Sequence, residues 1–481
     1  MVKDIRDVSG AIEDGLGALM ASFEVPGLAV GIVKDGEVAY AAGFGVRSLA
    51  TREPVTESSL FHMASISKPF VATALVQLFE RGQLDLGAPV VEILPYFRLA
   101  DERYATLTVQ QMMSHLAGMP DVEQYGWEKP EYDAGALERY VRSLVNEKLI
   151  HAPGEKFAYS NMAFEVLGDV IAKTSGQSFE DFVETNLLRP LGMETSTFLR
   201  QNVPPHLATT PHVNVPRPEV SPVYPYHRAH APSSTLHSSA LEMGYWAIAN
   251  LNHGQFGEGR RILRPENHAR LWRPVRETGR EPDEFVGLSW FIGRRRDQTL
   301  ITHGGGDVGF NTQLSLLPEM GLGVVVLSNT APAPVEAAAN LVMDRLLGYE
   351  PEISAPPALL PVMAVNRAEG LEAAAAVFEE YRRNRPDDFD YGTWQFNDAA
   401  MLLAEIGRGQ EALEVIELGL RIFPQAGMLY YFQAWVHEQR GEREPALESV
   451  RKCLALNPGN RHAGSMLERL SAGPDQAKTG A

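Results

Sequence analysis

The sequence predicts an α/β (α+β) domain, built on an antiparallel sheet flanked by helices with an inserted helical lobe, followed by an all-α domain. Three observations predict it. Two strand-forming runs lie near the N-terminus, about three more lie between Phe285 and Asn329, and a 34-residue repeat follows near the C-terminus.

The first two strands are Leu28–Val33 and Glu37–Ala41, and they flank Asp35-Gly36, a strong tight-turn signal. A helix opens at Ser65 and runs to about Arg81. Phe70, Ala74, Leu75, Leu78 and Phe79 recur at helical spacing, and Gly82 supplies the stop. Pro69 falls in the first turn, where its missing N–H matters least. Helical patterns follow around Thr108–Leu116, Met162–Thr174 and Phe179–Leu188, and strands return at Val286–Ile292, Asn311–Leu317 and Gly323–Leu327.

Four prolines (Pro351, Pro356, Pro357 and Pro361) mark a linker over 349–365. Beyond it, Gly407, Ala412 and Pro424 are matched by Gly441, Ala446 and Pro458, each pair 34 residues apart, with an earlier half repeat at Leu371–Pro386. That period is the one of tetratricopeptide helix pairs. The division expected is therefore a catalytic domain over 1–348, the linker, helical repeats over 366–472 and a disordered tail over 473–481.

A length of 481 residues calls for more than one core, and a 22% share of charged residues is that of a soluble globular protein. The net charge of −18 argues against nucleic acid or an anionic membrane as partner. Cys453 is the single cysteine, so no intrachain disulfide forms. Charges at Lys3, Asp4, Arg6 and Asp7 interrupt any secretory leader, and no run of apolar residues is long enough to span a membrane. A cytoplasmic protein is expected.

Three short motifs carry chemistry. In Ser65-Ile66-Ser67-Lys68 the serine and lysine share one helix face, and a serine hydroxyl is a poor nucleophile until a neighbouring base takes its proton. The helix start also places backbone N–H groups where an oxyanion develops. Ser449-Val450-Arg451-Lys452 repeats the spacing but reads as a solvated helix face and takes no role. Tyr159-Ser160-Asn161 is the only Tyr-x-Asn in the chain. Its tyrosine can relay the serine proton to a leaving group, and its amide can bond both the lysine and a substrate carbonyl. In His303-Gly304-Gly305-Gly306 the glycines let a substrate backbone approach, and the Gly306 N–H can pair with that of Ser65 around an oxyanion.

These motifs, with Phe61–Phe70, Leu107–Gly118, Pro190–Met193 and Gly323–Asn329, give the chain a resemblance to the serine β-lactamase-like superfamily. The branch resembled is that of class C β-lactamases, D-alanyl-D-alanine carboxypeptidases, D-aminopeptidases and esterases, over about residues 10–345. The resemblance implies a β-lactamase/transpeptidase-like fold with Ser65 as the acylated nucleophile and Lys68 as its helper. It implies Tyr159 as base and then acid, Asn161 orienting lysine and substrate, and His303 in the place of a lysine. Ser65 and Gly306 would hold the oxyanion, with Gly305 beside them at the substrate. Either Lys68 or Tyr159 takes the first proton.

Two departures matter. Antibiotic-hydrolysing relatives read Lys-Thr/Ser-Gly at the third motif, gripping a substrate carboxylate, whereas Gly304 has no hydroxyl and a histidine near its usual pKa is mostly neutral at pH 7. Within Pro232–Ser239, Ser234 and Thr235 stand where many relatives have two glycines. The expectation is a serine hydrolase acting on an ester, amide or D-amino-acid peptide, ahead of a weak β-lactamase or D,D-carboxypeptidase. A non-catalytic scaffold using the repeats is the other reading. No metal-binding or phosphate-binding motif is present, so no cofactor is expected. The partners expected are a small-molecule or peptide substrate and, through the repeats, a protein or a second copy.

Overall fold

Apolar β-branched runs close into one sheet. Strand β1 (Gly27–Lys34) is buried along its whole length up to Lys34, as befits a strand covered on both faces. It returns as β2 (Glu37–Gly45) through Asp35 and Gly36, whose φ angles of 53° and 83° are those a two-residue hairpin turn demands. The other strands of this sheet are β3 (Arg276–Glu277), β4 (Phe285–Val286), β5 (Phe291–Arg295), β6 (Gln298–Asp307), β7 (Phe310–Leu317) and β8 (Leu322–Ser328). The order across the eight strands is β2-β1-β8-β7-β6-β5-β4-β3, so the first two strands join the last of the series. Every neighbouring pair from β2 to β3 runs antiparallel. The structure, a computed structural model, describes residues 2–215, 217–352 and 354–471.

The stretch Val286–Ile292, read above as one strand, is two. Phe285 lies opposite Ile292 and Val286 opposite Phe291, so β4 and β5 form a hairpin of their own. Ser289 takes φ 73° at its tip, and the Gly287 N–H donates to Trp290 O at 2.8 Å. Residues 303–306 belong to a continuous strand, β6, rather than following one.

The helices that matter for the site are α1 (Ile5–Ser22), α2 (Ser67–Glu80), α3 (Asn161–Ser175), α4 (Ala240–Leu251) and α5 (Val335–Leu347). Helices α4 and α5 both pack on β8, and α2 packs on α3 within the inserted lobe. Helix α2 is buried from Ser67 to Leu78, and its Phe70 ring stacks on Trp246 of α4 at 3.9 Å. One continuous apolar core runs from Ala29 and Val33 of the sheet through Phe70, Leu75 and Phe164 of the lobe.

The chain forms two units: one holds the sheet and the lobe, up to Glu352, and the other holds the C-terminal helices with the excursions Ser22–Glu24 and Val213–Pro222. The second unit contains α6 (Leu359–Glu369), α7 (Leu371–Asn384), α8 (Trp394–Glu405), α9 (Gly409–Ile422), α10 (Gly427–Gln439), α11 (Arg443–Leu456) and α12 (Arg461–Ser471). The linker expected over 349–365 gives way to helix at Leu359, and Pro361 sits in the first turn of α6, where a missing N–H costs nothing. The half repeat expected at Leu371–Pro386 is the second member of a full pair, α6 with α7. Ala412 and Ala446, 34 residues apart, are both fully buried. Ser449 is buried too, donating to Gln433 Oε1 at 2.9 Å, so its face is not the solvated one expected. The tail expected over 473–481 lies outside the described residues.

Candidate active site

From Phe61 to Leu78 every residue is buried except Ser65, which is half-buried. Ser65 sits in a single 3-10 turn, Ala64–Ile66, immediately before α2, and Ala64 holds φ 47° to make that turn. A non-glycine residue in the left-handed region persists only where its surroundings fix it. Here the Met63 carbonyl accepts from Thr312 Oγ1 at 2.8 Å, the Met63 N–H donates to Leu236 O at 2.7 Å, and Ser67 Oγ accepts from the Leu236 N–H at 3.0 Å.

Lys68 lies one helical turn on, with no exposure to solvent. Its Nζ donates to Ser65 Oγ at 2.8 Å and to the Ser233 carbonyl at 2.8 Å, and it stands 5.1 Å from the centre of the Tyr159 ring. The structure thus brings Ser65, Lys68 and Tyr159 together. The Ser233 carbonyl, on the short helix Ala231–Ser234, was not among the expected partners.

Tyr159 is half-buried, and the His115 ring stacks on it with centroids 4.3 Å apart. Burial, with the Lys68 charge nearby, keeps His115 well below its ordinary pKa, so the imidazole is neutral. Its Nδ1 accepts the Ser160 N–H at 3.1 Å. Ser160 Oγ in turn caps α3 by accepting the Ala163 N–H at 3.1 Å, which fixes the residues on either side.

Asn161 departs from expectation. Its Nδ2 donates to Asp121 Oδ1 at 3.0 Å and Oδ2 at 3.2 Å, and its backbone N–H donates to Asp121 Oδ1 at 2.7 Å. It is therefore tied to a carboxylate and not to Lys68. The reason is local: the N–H groups at a helix start favour an anion, and Asp121 supplies it.

His303 is buried, and its Nδ1 donates to the Gly304 carbonyl at 2.7 Å. Burial foremost, then the Lys68 charge, pushes its pKa down to about 3, so it is a neutral ring whose buried Nε2 has no partner among the described residues. Gly305 allows β6 to lie against the Ser65 turn: a Cβ there would come 2.4 Å from Met63 O and 3.1 Å from Ala64 Cβ. It makes room for the turn, while Gly304 and Gly306 on the other face are exposed.

His115, Asp121 and Ser233 are the site residues that the motifs did not assign. His115 lay in the conspicuous Leu107–Gly118 stretch and Ser233 in the altered Pro232–Ser239 segment, so both carried a signal; Asp121 carried none. Among the described residues no cluster of His, Cys, Asp or Glu is arranged to hold a metal ion.

Known proteins agree with this architecture. Protein flp of Staphylococcus aureus (strain MW2) is 26% identical over 307 residues, 63% of this chain and 60% of that protein. The chain thus matches about 60% of that relative's length. The octameric penicillin-binding protein homologue from Pyrococcus abyssi superposes with TM-score 0.64 at 26% identity, over 75% of this chain and 80% of that one. A D-stereospecific amidohydrolase from Streptomyces sp. has the same fold, with TM-score 0.59 at 21% identity over 70% of this chain and 98% of that one. With the Beta-lactamase family matching residues 12–347 across the sheet, the lobe and the Ser65 turn, the chain belongs to that family, with a C-terminal all-helical region added.

Proposed function

We propose that the protein is a serine hydrolase that forms an acyl-enzyme on Ser65 and cleaves an ester, an amide or a D-amino-acid peptide bond. The observation that carries this reading is the fully buried Lys68 Nζ at 2.8 Å from Ser65 Oγ, with the Tyr159 ring beside it. In the proposed reaction Ser65 Oγ bonds to the acyl carbon while its proton passes to Lys68 or Tyr159. The N–H groups of Ser65 and Gly306 hold the oxyanion, and the leaving group departs with the proton. Water then breaks the Ser65 ester by the reverse sequence. Asn161 acts through Asp121, as a positioning residue.

Hydrolysis of β-lactams or D,D-peptides ranks lower. His303 is neutral and Gly304 has no hydroxyl, so the edge of β6 offers a substrate carboxylate little to bind. For the helical region we propose a tetratricopeptide-like repeat that docks a peptide or a second copy of the chain, on the strength of the 34-residue spacing and the buried Ala412 and Ala446. Among the described residues no helix is long and apolar enough to cross a membrane. A cytoplasmic setting suits a chain with one cysteine, which needs no oxidising compartment.

Intact-protein mass spectrometry after exposure to a fluorophosphonate tests the reading. One adduct on the wild type and none on Ser65→Ala is expected. No adduct on a folded wild type removes the hydrolase assignment.

A further inference from the structure

The face of β6 that meets the nucleophile turn carries one more polar side chain. Side chains alternate along a strand, so His303, Gly305 and Asp307 share a face, at steps of about 6.6–6.8 Å. Gly305 abuts Met63 and Ala64, and His303 feels the Lys68 charge. Asp307 is the next step beyond Gly305, adjoining the Gly306 N–H. It is tied to the same cleft through Ser234, whose Oγ donates to it and whose neighbour Ser233 accepts from Lys68 Nζ at 2.8 Å.

The Asp307 carboxylate is nine-tenths buried and held from one side only. His62 Nε2 donates to Oδ2 at 2.8 Å, and Ser234 Oγ donates to the same oxygen. Oδ1 accepts no hydrogen bond among the described residues and is not sealed from solvent. His62 is fixed in turn, packed edge-on to His237 at 5.4 Å and against Phe310 at 5.6 Å. No lysine or arginine pairs with Asp307 among the described residues, and His237, packed against His62, is kept neutral by burial. Ser234 is one of the two residues that replace glycines in this segment, and its hydroxyl is what a glycine could not supply.

A carboxylate anchored through one oxygen, with the other free, is built to receive a cation. In an aminoacyl group the ammonium nitrogen lies about 2.5 Å from the carbonyl carbon, so a carbonyl held at Gly306 brings it towards the neighbouring residue. We propose that Asp307, braced by His62 and Ser234, binds a substrate ammonium next to the scissile carbonyl. The preferred acyl donor is then an amino-acid ester, amide or peptide with a free α-amino group. This rests on the reading of Ser65 as nucleophile and narrows its substrate class.

The test compares kcat/KM for alanine p-nitroanilide, in D and L forms, with that for propionyl p-nitroanilide, which lacks only the ammonium. The ratio of the two is measured in wild type, Asp307→Asn and Ser234→Gly, and a fluorophosphonate adduct on each protein reports an intact Ser65 site. The wild type should favour one alanine form by at least about tenfold, and Asp307→Asn should lower that ratio by about 30-fold, the loss expected for removing one partner of a buried charge pair. Ser234→Gly should lower it a few-fold by freeing the carboxylate, and decides the matter if Asp307→Asn takes no adduct. A wild type that takes the adduct yet shows no preference overturns the inference and leaves the hydrolase reading standing, as does an unchanged ratio in labelled Asp307→Asn. A wild type with no adduct removes the hydrolase reading and the inference with it.

Discussion

His115 lies flat against Tyr159, with ring planes 21° from parallel, and its Nδ1 accepts the backbone N–H of the next residue, Ser160. One side chain thereby sets both the plane of the tyrosine and the path of the chain behind it. The two roles separate by substitution. His115→Phe keeps an aromatic face but leaves the Ser160 N–H buried without a partner, a stability cost of about 1–3 kcal/mol. His115→Ala also frees the Tyr159 ring, and a misplaced catalytic group costs about a hundredfold in rate. Steady-state kinetics on an activated ester should show kcat falling further in His115→Ala than in His115→Phe, with KM moving little in either.

Lys68 makes two bonds, one to Ser65 Oγ and one to the Ser233 carbonyl, in a place with no access to water. Lys68→Ala should slow acylation by about a hundred- to ten-thousand-fold, the range for losing a positioned acid–base group. Lys68→Arg should not restore it, because a planar guanidinium cannot take the place of a compact ammonium between two oxygens. The rate of fluorophosphonate labelling reads this out, and a fast Lys68→Arg would show that only a positive charge is needed.

Acid should loosen the site through His303. Its pKa stands at about 3 in the folded protein against an ordinary value of 6.5, so between those values the unfolded chain binds the extra proton. The share of stability linked to His303 is therefore undiminished above pH 6.5 and falls as pH drops towards 3, by at most about 1.4 kcal/mol per pH unit for one proton. His303→Asn should flatten the dependence of the urea midpoint on pH over that window. Glu165 works in the opposite sense: burial raises its pKa, so its contribution is present at low pH and is lost as pH rises through the folded value. Glu165→Gln should flatten the upper part of the curve, and the two variants together separate the two limbs.

What the sequence made legible was local, and what it hid was tertiary. Ser65 and Lys68 are one helical turn apart, so spacing alone places them on one face. The Asp35-Gly36 turn could be read because only certain residues accept its φ angles. The tie of Asn161 to Asp121 is not legible, because nothing in the sequence marks a carboxylate 40 residues earlier as the anion at the start of its helix. The β4–β5 hairpin is hidden in the sequence because Gly287-Leu288-Ser289-Trp290 is no less apolar than a strand. The turn is held by a tertiary contact, the Leu288 N–H donating to the Leu271 carbonyl at 2.9 Å, and a Cβ at Gly287 would lie 2.3 Å from that oxygen.

In the helical region the same logic gives a stability prediction. Ala446 on α11 is fully buried in one apolar cluster with Ala434, Val450 and Cys453. Lys452, on the same helix, is exposed, pairs with Glu448 one turn back and stands 5.8 Å from the centre of the Tyr430 ring. Ala446→Leu should therefore destabilise by about 1–3 kcal/mol through overpacking, while Lys452→Leu should change stability by no more than about 0.5 kcal/mol. Urea unfolding of the full chain followed by helical circular dichroism compares them. Equal effects would mean that the small residue at this repeat position is a matter of helix propensity and not of close packing. That result would undercut the repeat assignment, which depends on alanine being required at both Ala412 and Ala446.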